Sequence, residues 1–219
     1  MKLLIQINNT NDFNIRCDGF ILGLKDYSNF TSLTFDVEEV INIQNKYSDK
    51  EIFLSINKNI FNDEINNLKE IFKKLKNVKI LFYDLGIIEI NKDFNLDLVW
   101  NQDHFVTNYE EINFYNNLGV KYAYISNEIT YEEIKDIVKN SKSSLLVLLV
   151  CKPTIAVSKI DIDYGVIDTL YLDETEKIVD NIYEYLDSRN PDNLKNIENI
   201  VGNNTNFLYS PTIYKVVKR

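Results

Sequence analysis

Cysteine, histidine, glycine and proline are all scarce in this 219-residue chain, and each scarcity removes a class of protein. The two cysteines, Cys17 and Cys151, stand too far apart for a metal-ligand spacing and too few for a disulfide framework. A single histidine excludes a zinc site of mixed Cys and His ligands, and leaves no Ser–His–Asp arrangement that can be assigned. Six glycines and three prolines argue against a sandwich of many short strands and tight turns. No apolar run approaches the ~20 residues of a membrane span, and the short run in MKLLIQINNTNDF is too brief for a signal peptide. A cytoplasmic protein with no membrane association is expected. Positive charge is also in deficit. The net charge is −9 and the pI near 4.8, whereas a free-standing nucleic-acid binder carries a basic face.

What is present is core material. Hydrophobic residues make up 45% of the chain and aromatics 12%, so disorder is excluded and one domain over residues 1–219 is expected. Short apolar runs alternate with amphipathic segments. Strands are predicted over 2–7, 19–24, 52–56, 78–84, 96–101, 122–126, 145–150 and 169–173. The run at 145–150, LLVLLV, is apolar on both faces, as a buried parallel strand must be. Helices are predicted after Asp36 and Asn62 as caps, after capping boxes at Thr107/Glu110 and Thr130/Glu133, and around Ile178 to Leu186. Gly119 ends the helix after Thr107, while LGIIEINKDFN reads as a link with little room for a helix. Eight strands mostly followed by helices predict a compact, TIM-like (β/α)8 barrel in the α/β class, with some helices shortened to loops. An open doubly wound sheet is the rival, but no glycine-rich loop follows the first strand.

In such a barrel, ligands meet the C-terminal strand ends. Reading those ends gives Gln6 and Asn8, Asn57 and Lys58, Tyr83 and Asp84, Asn101 and Gln102 with His104, then Asn127 and Glu128, Lys152, and Asp173 with Glu174. Glu128, Asp84 and His104 are the candidate acid–base residues. Asn57, Asn101, Gln102 and Lys152 are the candidate substrate-binding residues. Trp100 is expected to pack against a helix, and Cys151 to be a small hydrophobe or, beside Lys152, a thiol of lowered pKa.

Several stretches resemble the peptidase U32 family. NDEINNLKEIFKKLKNVKILFYDLGIIEI resembles the family's acidic helix leading to a strand that ends in Asp-Leu-Gly. WNQDHFVTNYEEINFYNNLGVKYAYISNEITYEEI resembles the following segment, with Asn101 and Gln102 on a Ser-Thr-Gln-like triplet, Asn108 on an Asn-rich helix start and Glu128 on the acid of an Arg-Glu pair. CDGFILGL and SINKNIFNDE are similar to earlier family strands, and TNFLYSPTIYKVVK to a closing strand of short members. The resemblance implies a TIM-like barrel and either proteolysis or hydroxylation chemistry, including that of a tRNA wobble uridine, with a cysteine-held iron–sulfur cluster in many members. This chain departs from that pattern. It has two cysteines where a cluster needs four thiolates, and Asn127 where the family carries Arg. The expectation is therefore a chain with no cofactor of its own, serving as a companion subunit in tRNA uridine hydroxylation. Its expected partner is a larger U32 relative or a second copy, with tRNA reached only through a partner. The alternatives are a U32-type peptide hydrolase, or a non-catalytic barrel that binds a small carboxylate through Lys58 and Lys152.

Overall fold

The computed structural model describes residues 1–29, 31–102, 105–151, 163–170 and 172–202, and the backbone of 154–155. Among the described residues ten strands are seen: β1 (Lys2–Gln6), β2 (Gly19–Leu24), β3 (Thr34–Phe35), β4 (Glu51–Ile56), β5 (Val78–Phe82), β6 (Asp97–Trp100), β7 (Tyr122–Tyr124), β8 (Ser144–Cys151), β9 (Thr154–Ile155) and β10 (Tyr164–Asp168). Eight of them pair in parallel in the order β1-β10-β8-β7-β6-β5-β4-β2, and β2 returns to β1, so the sheet closes. The two-residue β3 adds to the rim beside β2, and β9 turns back antiparallel on β8. The expected (β/α)8 barrel is the observed fold. Helices α1 (Val37–Lys46), α2 (Ile65–Lys74), α3 (Gly86–Asn91), α4 (Tyr109–Asn117), α5 (Tyr131–Asn140), α6 (Thr175–Ser188) and α7 (Pro191–Val201) surround it.

Two apolar clusters follow from the two-residue period of the strands. Outward residues such as Leu3, Ile5, Phe20, Leu22, Leu54 and Ile80 meet the helices in the larger cluster. Inward residues Leu4, Ile21, Phe53, Leu81, Val99, Leu146 and Val166 fill the barrel waist. Trp100 faces outward, 1% exposed, and packs on Tyr115 of α4 with ring centroids 4.3 Å apart. Its Nε1 donates to Glu111 Oε1 at 3.2 Å, so Trp100 packs against a helix as expected.

Several predicted boundaries are corrected. The last barrel strand lies at Tyr164–Asp168, ahead of the predicted 169–173. The segment read as a link forms the six-residue α3. The box predicted at Thr107/Glu110 is replaced by a simple cap one residue on: Asn108 caps α4 and accepts from Glu111 N at 2.9 Å. Asn62 does not cap α2, which starts after Glu64. Asp36 and Thr130 cap α1 and α5 through full capping boxes, and Gly119, with φ +91°, follows α4. Helix α7, with Pro191 in its first turn, was not predicted. The stretch compared with a closing strand falls outside the described residues.

The N-terminal end of the barrel is closed by charge. Glu51, at the start of β4, pairs with Lys2 of β1 and with Lys79 of β5 at 2.7 Å, and accepts from Tyr164 Oη of β10 at 3.2 Å. Burial works to raise the Glu51 pKa, but hydrogen bonds from Lys2 and Lys79 carry it below the usual range. A folded-state pKa below the unfolded one gives stability that is present above about pH 4.3 and lost as pH falls through the folded value. Glu51→Gln should cost about 1–3 kcal/mol at neutral pH. Urea denaturation should show that deficit shrinking as the pH is lowered through about 4.

Candidate functional site

The same two-residue period that fills the waist sets the character of the mouth. Two positions beyond the waist residues Leu4, Ile21, Phe53, Leu81, Val99 and Val166 stand Gln6, Gly23, Ser55, Tyr83, Asn101 and Asp168. All but Gly23 line a cavity of about 430 Å³ at the C-terminal end of the barrel. Its floor is apolar, from Ile21, Leu81 and Leu148, and Tyr124, Ser126, Asn127, Glu128 and Cys151 complete one side. The volume lies within the ~300–1,000 Å³ usual for small-molecule sites.

Gly23 leaves a gap that the β2–β3 loop fills. A Cβ there would stand 2.6 Å from Thr31 Oγ1, so any larger residue displaces the loop. Two side chains tie this loop across the mouth. Asn57 accepts from Asn29 N at 2.5 Å and donates to Asn29 O at 2.7 Å, while Asn8 Oδ1 accepts from Ser32 N at 3.3 Å. Thr31 Oγ1 is buried in the cavity wall and has no hydrogen-bond partner among the described residues.

Asp168 lines the mouth as a hydrogen-bonded carboxylate. Its Oδ1 accepts from Gln6 Nε2 at 3.3 Å, Asn8 Nδ2 at 3.0 Å and Leu170 N at 2.9 Å. Asn8 is held in turn by the nearly buried Asp12, 4% exposed, whose Oδ2 accepts from Asn8 N, Asn9 N and the Thr169 hydroxyl at 2.8–3.0 Å. Burial raises the Asp168 pKa, opposed by the Leu170 and Asn8 hydrogen bonds and assisted by the charge of Asp12.

The candidates read from sequence divide. Glu128, Asn57 and Asn101 line the cavity together. Asn57 spends its amide on the β2–β3 loop, which makes it a loop clamp. Gln102 does not line the cavity, and its carbonyl accepts from Phe105 N at 2.7 Å. Asp84 is turned away: its carboxylate accepts from Ile60 N and Gly86 N, both at 2.8 Å, and fixes the start of α3 beside a separate outer cleft. Asp84 and Glu128 therefore share no cavity. Lys58 pairs with Glu64 and lies over the Tyr27 ring. His104 and Lys152 lie outside the described residues. Asp173 and Glu174 are exposed ahead of α6. Asp168 was missed because the last strand was placed at 169–173. The pattern Tyr164, Val166, Asp168 in YGVID carried the signal.

A closed parallel barrel with a polar cavity at its C-terminal mouth defines the class: a (β/α)8 barrel domain. The sequence matches the model of peptidase family U32 over residues 13–159, more than half of the chain. The chain belongs to that family. No curated protein matches it. Among solved structures it is similar to the U32 peptidase Mk0906 (10% identity, TM-score 0.58, covering 77% of this chain and 92% of that one). It is also similar to a mutant tryptophan synthase α-subunit from Pyrococcus furiosus (16%, 0.56, covering 92% and 98%). A third is 3-keto-L-gulonate-6-phosphate decarboxylase from Vibrio cholerae (10%, 0.54, covering 85% and 97%). At these identities the likeness establishes the fold.

The iron–sulfur cluster of many relatives does not fit this chain. Cys17 precedes β2 at the N-terminal end of the barrel, and burial pushes its thiol up to about 11. Cys151 ends β8 at the opposite end and lines the mouth cavity. Two thiols at opposite ends cannot share a cluster that takes four. Among the described residues, no group of three or more His, Cys, Asp or Glu could hold a metal ion, and no helix is long and apolar enough to cross a membrane.

Two substitutions separate support from site. Asp12→Ala should cost about 1–3 kcal/mol, because two backbone N–H groups and a hydroxyl lose their acceptor. Asp84→Ala should cost about 1 kcal/mol through the lost turn acceptors, and should leave the affinity of any ligand of the mouth unchanged. Denaturant melts and titration calorimetry on each variant read the two effects.

Proposed function

We propose that this chain is a cluster-less companion subunit in tRNA wobble-uridine hydroxylation, working beside a larger U32-family chain that carries the cysteines. The observation that supports this reading is the position of its two thiols at opposite ends of the barrel, where neither can complete a cluster. Charge points the same way. The chain carries −9, a net charge that does not attract phosphodiesters. The partner would supply both the cluster and the positive field that attracts tRNA. Affinity purification from the native host should recover a larger, cysteine-bearing U32 chain in stoichiometric amount. Recovery of the chain alone, or only with copies of itself, contradicts the proposal.

A peptide hydrolase is the second reading, favoured by one specific feature. Glu128 and Asp168 line one cavity, and burial raises the pKa of Asp168, so two carboxylates in different environments are available for acid–base work. On this reading Asp168 takes the place that sequence assigned to Asp84. Cleavage of a peptide library by the purified chain, abolished in both Glu128→Gln and Asp168→Asn, would favour it over the companion role.

A further inference from the structure

We propose that the mouth cavity is a site for a neutral polyhydroxylated ring, a monosaccharide or cyclitol, held by hydroxyl and carboxamide groups to which the chain gives no hydrogen-bond partner of its own. Ser55 of β4 is 5% exposed and lines the cavity, and its hydroxyl makes no hydrogen bond to any described residue. Thr31 Oγ1 is buried in the same wall and is likewise unpartnered among the described residues. The two are neighbours. Ser55 pairs in register with Gly23, and Thr31 Oγ1 stands 2.6 Å from where a Gly23 Cβ would lie. Across β5, Asn101 at the end of β6 adds a carboxamide that makes no hydrogen bond to a described residue. Polar groups buried as deeply as Ser55 and Thr31 Oγ1 are nearly always hydrogen-bonded, so two on one cavity wall mark where a ligand supplies the bonds.

The chemistry of these groups selects the ligand. A hydroxyl and a carboxamide each both donate and accept. A ligand hydroxyl does both in return, whereas an ammonium only donates and a carboxylate only accepts, so either ion leaves part of this capacity unused. Ser126 extends the pattern: its Oγ accepts from Glu128 N at 3.2 Å and donates to no described residue. A ligand that displaces water from such groups must return the hydrogen bonds that water made. Below them Ile21, Leu81 and Leu148 form an apolar floor, with Tyr83 and Tyr124 in the wall, which suits the C–H face of a sugar ring. The volume of about 430 Å³ admits a small ring, and a ring loses less freedom on binding than an open-chain polyol. The inference concerns the ligand of the mouth and is independent of the companion role.

The test uses the whole chain with D-glucose, D-ribose and myo-inositol as probes. Cyclohexylamine and cyclohexanecarboxylate, rings that carry one ion and no hydroxyl, are the controls. Thermal shift and titration calorimetry should show saturable binding of at least one polyol and of neither control. Ser55→Ala should weaken that polyol about fivefold, the worth of one hydrogen bond, and leave the unliganded melting temperature nearly unchanged because no hydrogen bond within the chain is lost. Thr31→Val removes a buried hydroxyl without a partner, so it should weaken the polyol about as much while holding or raising the melting temperature. It also serves as the variant of record if Ser55→Ala does not fold. No saturable binding of any of the three polyols, binding of either control as tight as theirs, or polyol affinity unchanged in both variants overturns the proposal.

Discussion

The mouth of this barrel depends on β1 being hydrogen-bonded along both edges. Leu4 pairs in register with Gly19 of β2, and Lys2 to Gln6 pair with Tyr164 to Asp168 of β10. This closure turns an open sheet into a barrel and brings the first and last strands side by side. Gln6 and Asn8 come from the start of the chain and Asp168 from well past its middle, yet the three share one set of hydrogen bonds. Asp12 holds the turn after β1 and Thr169 holds the turn after β10, and the two meet at 2.8 Å. The carboxylate that gives the mouth its character is therefore positioned by barrel closure.

Both ends of the barrel are polar, but they are built differently. At the N-terminal end Glu51 is matched by two lysines and a tyrosine hydroxyl, so the charge is balanced and the end is plugged. At the C-terminal end Asp168 is held by two neutral amides and a backbone N–H. The apolar waist separates the two, with Phe53 against Tyr164 at 5.4 Å marking the lower boundary. Ion pairs plug one end, whereas a hydrogen-bonded carboxylate lines the cavity at the other.

Much of this was legible in the sequence, for reasons particular residues make clear. Seven of the eight barrel strands showed as apolar runs because each is buried on both faces. The eighth was misplaced because TLYLD has the better strand composition, while YGVID carries a glycine. That glycine is required: a Cβ at Gly165 would stand 2.2 Å from Leu149 Cδ1. The cap of α4 slipped by one residue because Thr107/Glu110 and Asn108/Glu111 share the same spacing, and the Trp100–Glu111 hydrogen bond accompanies the second register. Asp84 resembled a site residue because it ends a strand, but its oxygens serve two local N–H groups, which composition and spacing do not reveal. The signal for α7 was available in Asn190-Pro191, a cap followed by proline at the first helical position.

The central claim is that this U32-family chain keeps the barrel and its mouth while lacking the means to hold an iron–sulfur cluster. Anaerobic reconstitution of the purified chain with iron and sulfide, followed by absorption and paramagnetic resonance spectroscopy, tests it most directly. The account predicts a colourless protein with no cluster signal after desalting. A stoichiometric cluster, whether held by one chain or shared between two copies through Cys17 and Cys151, would contradict it.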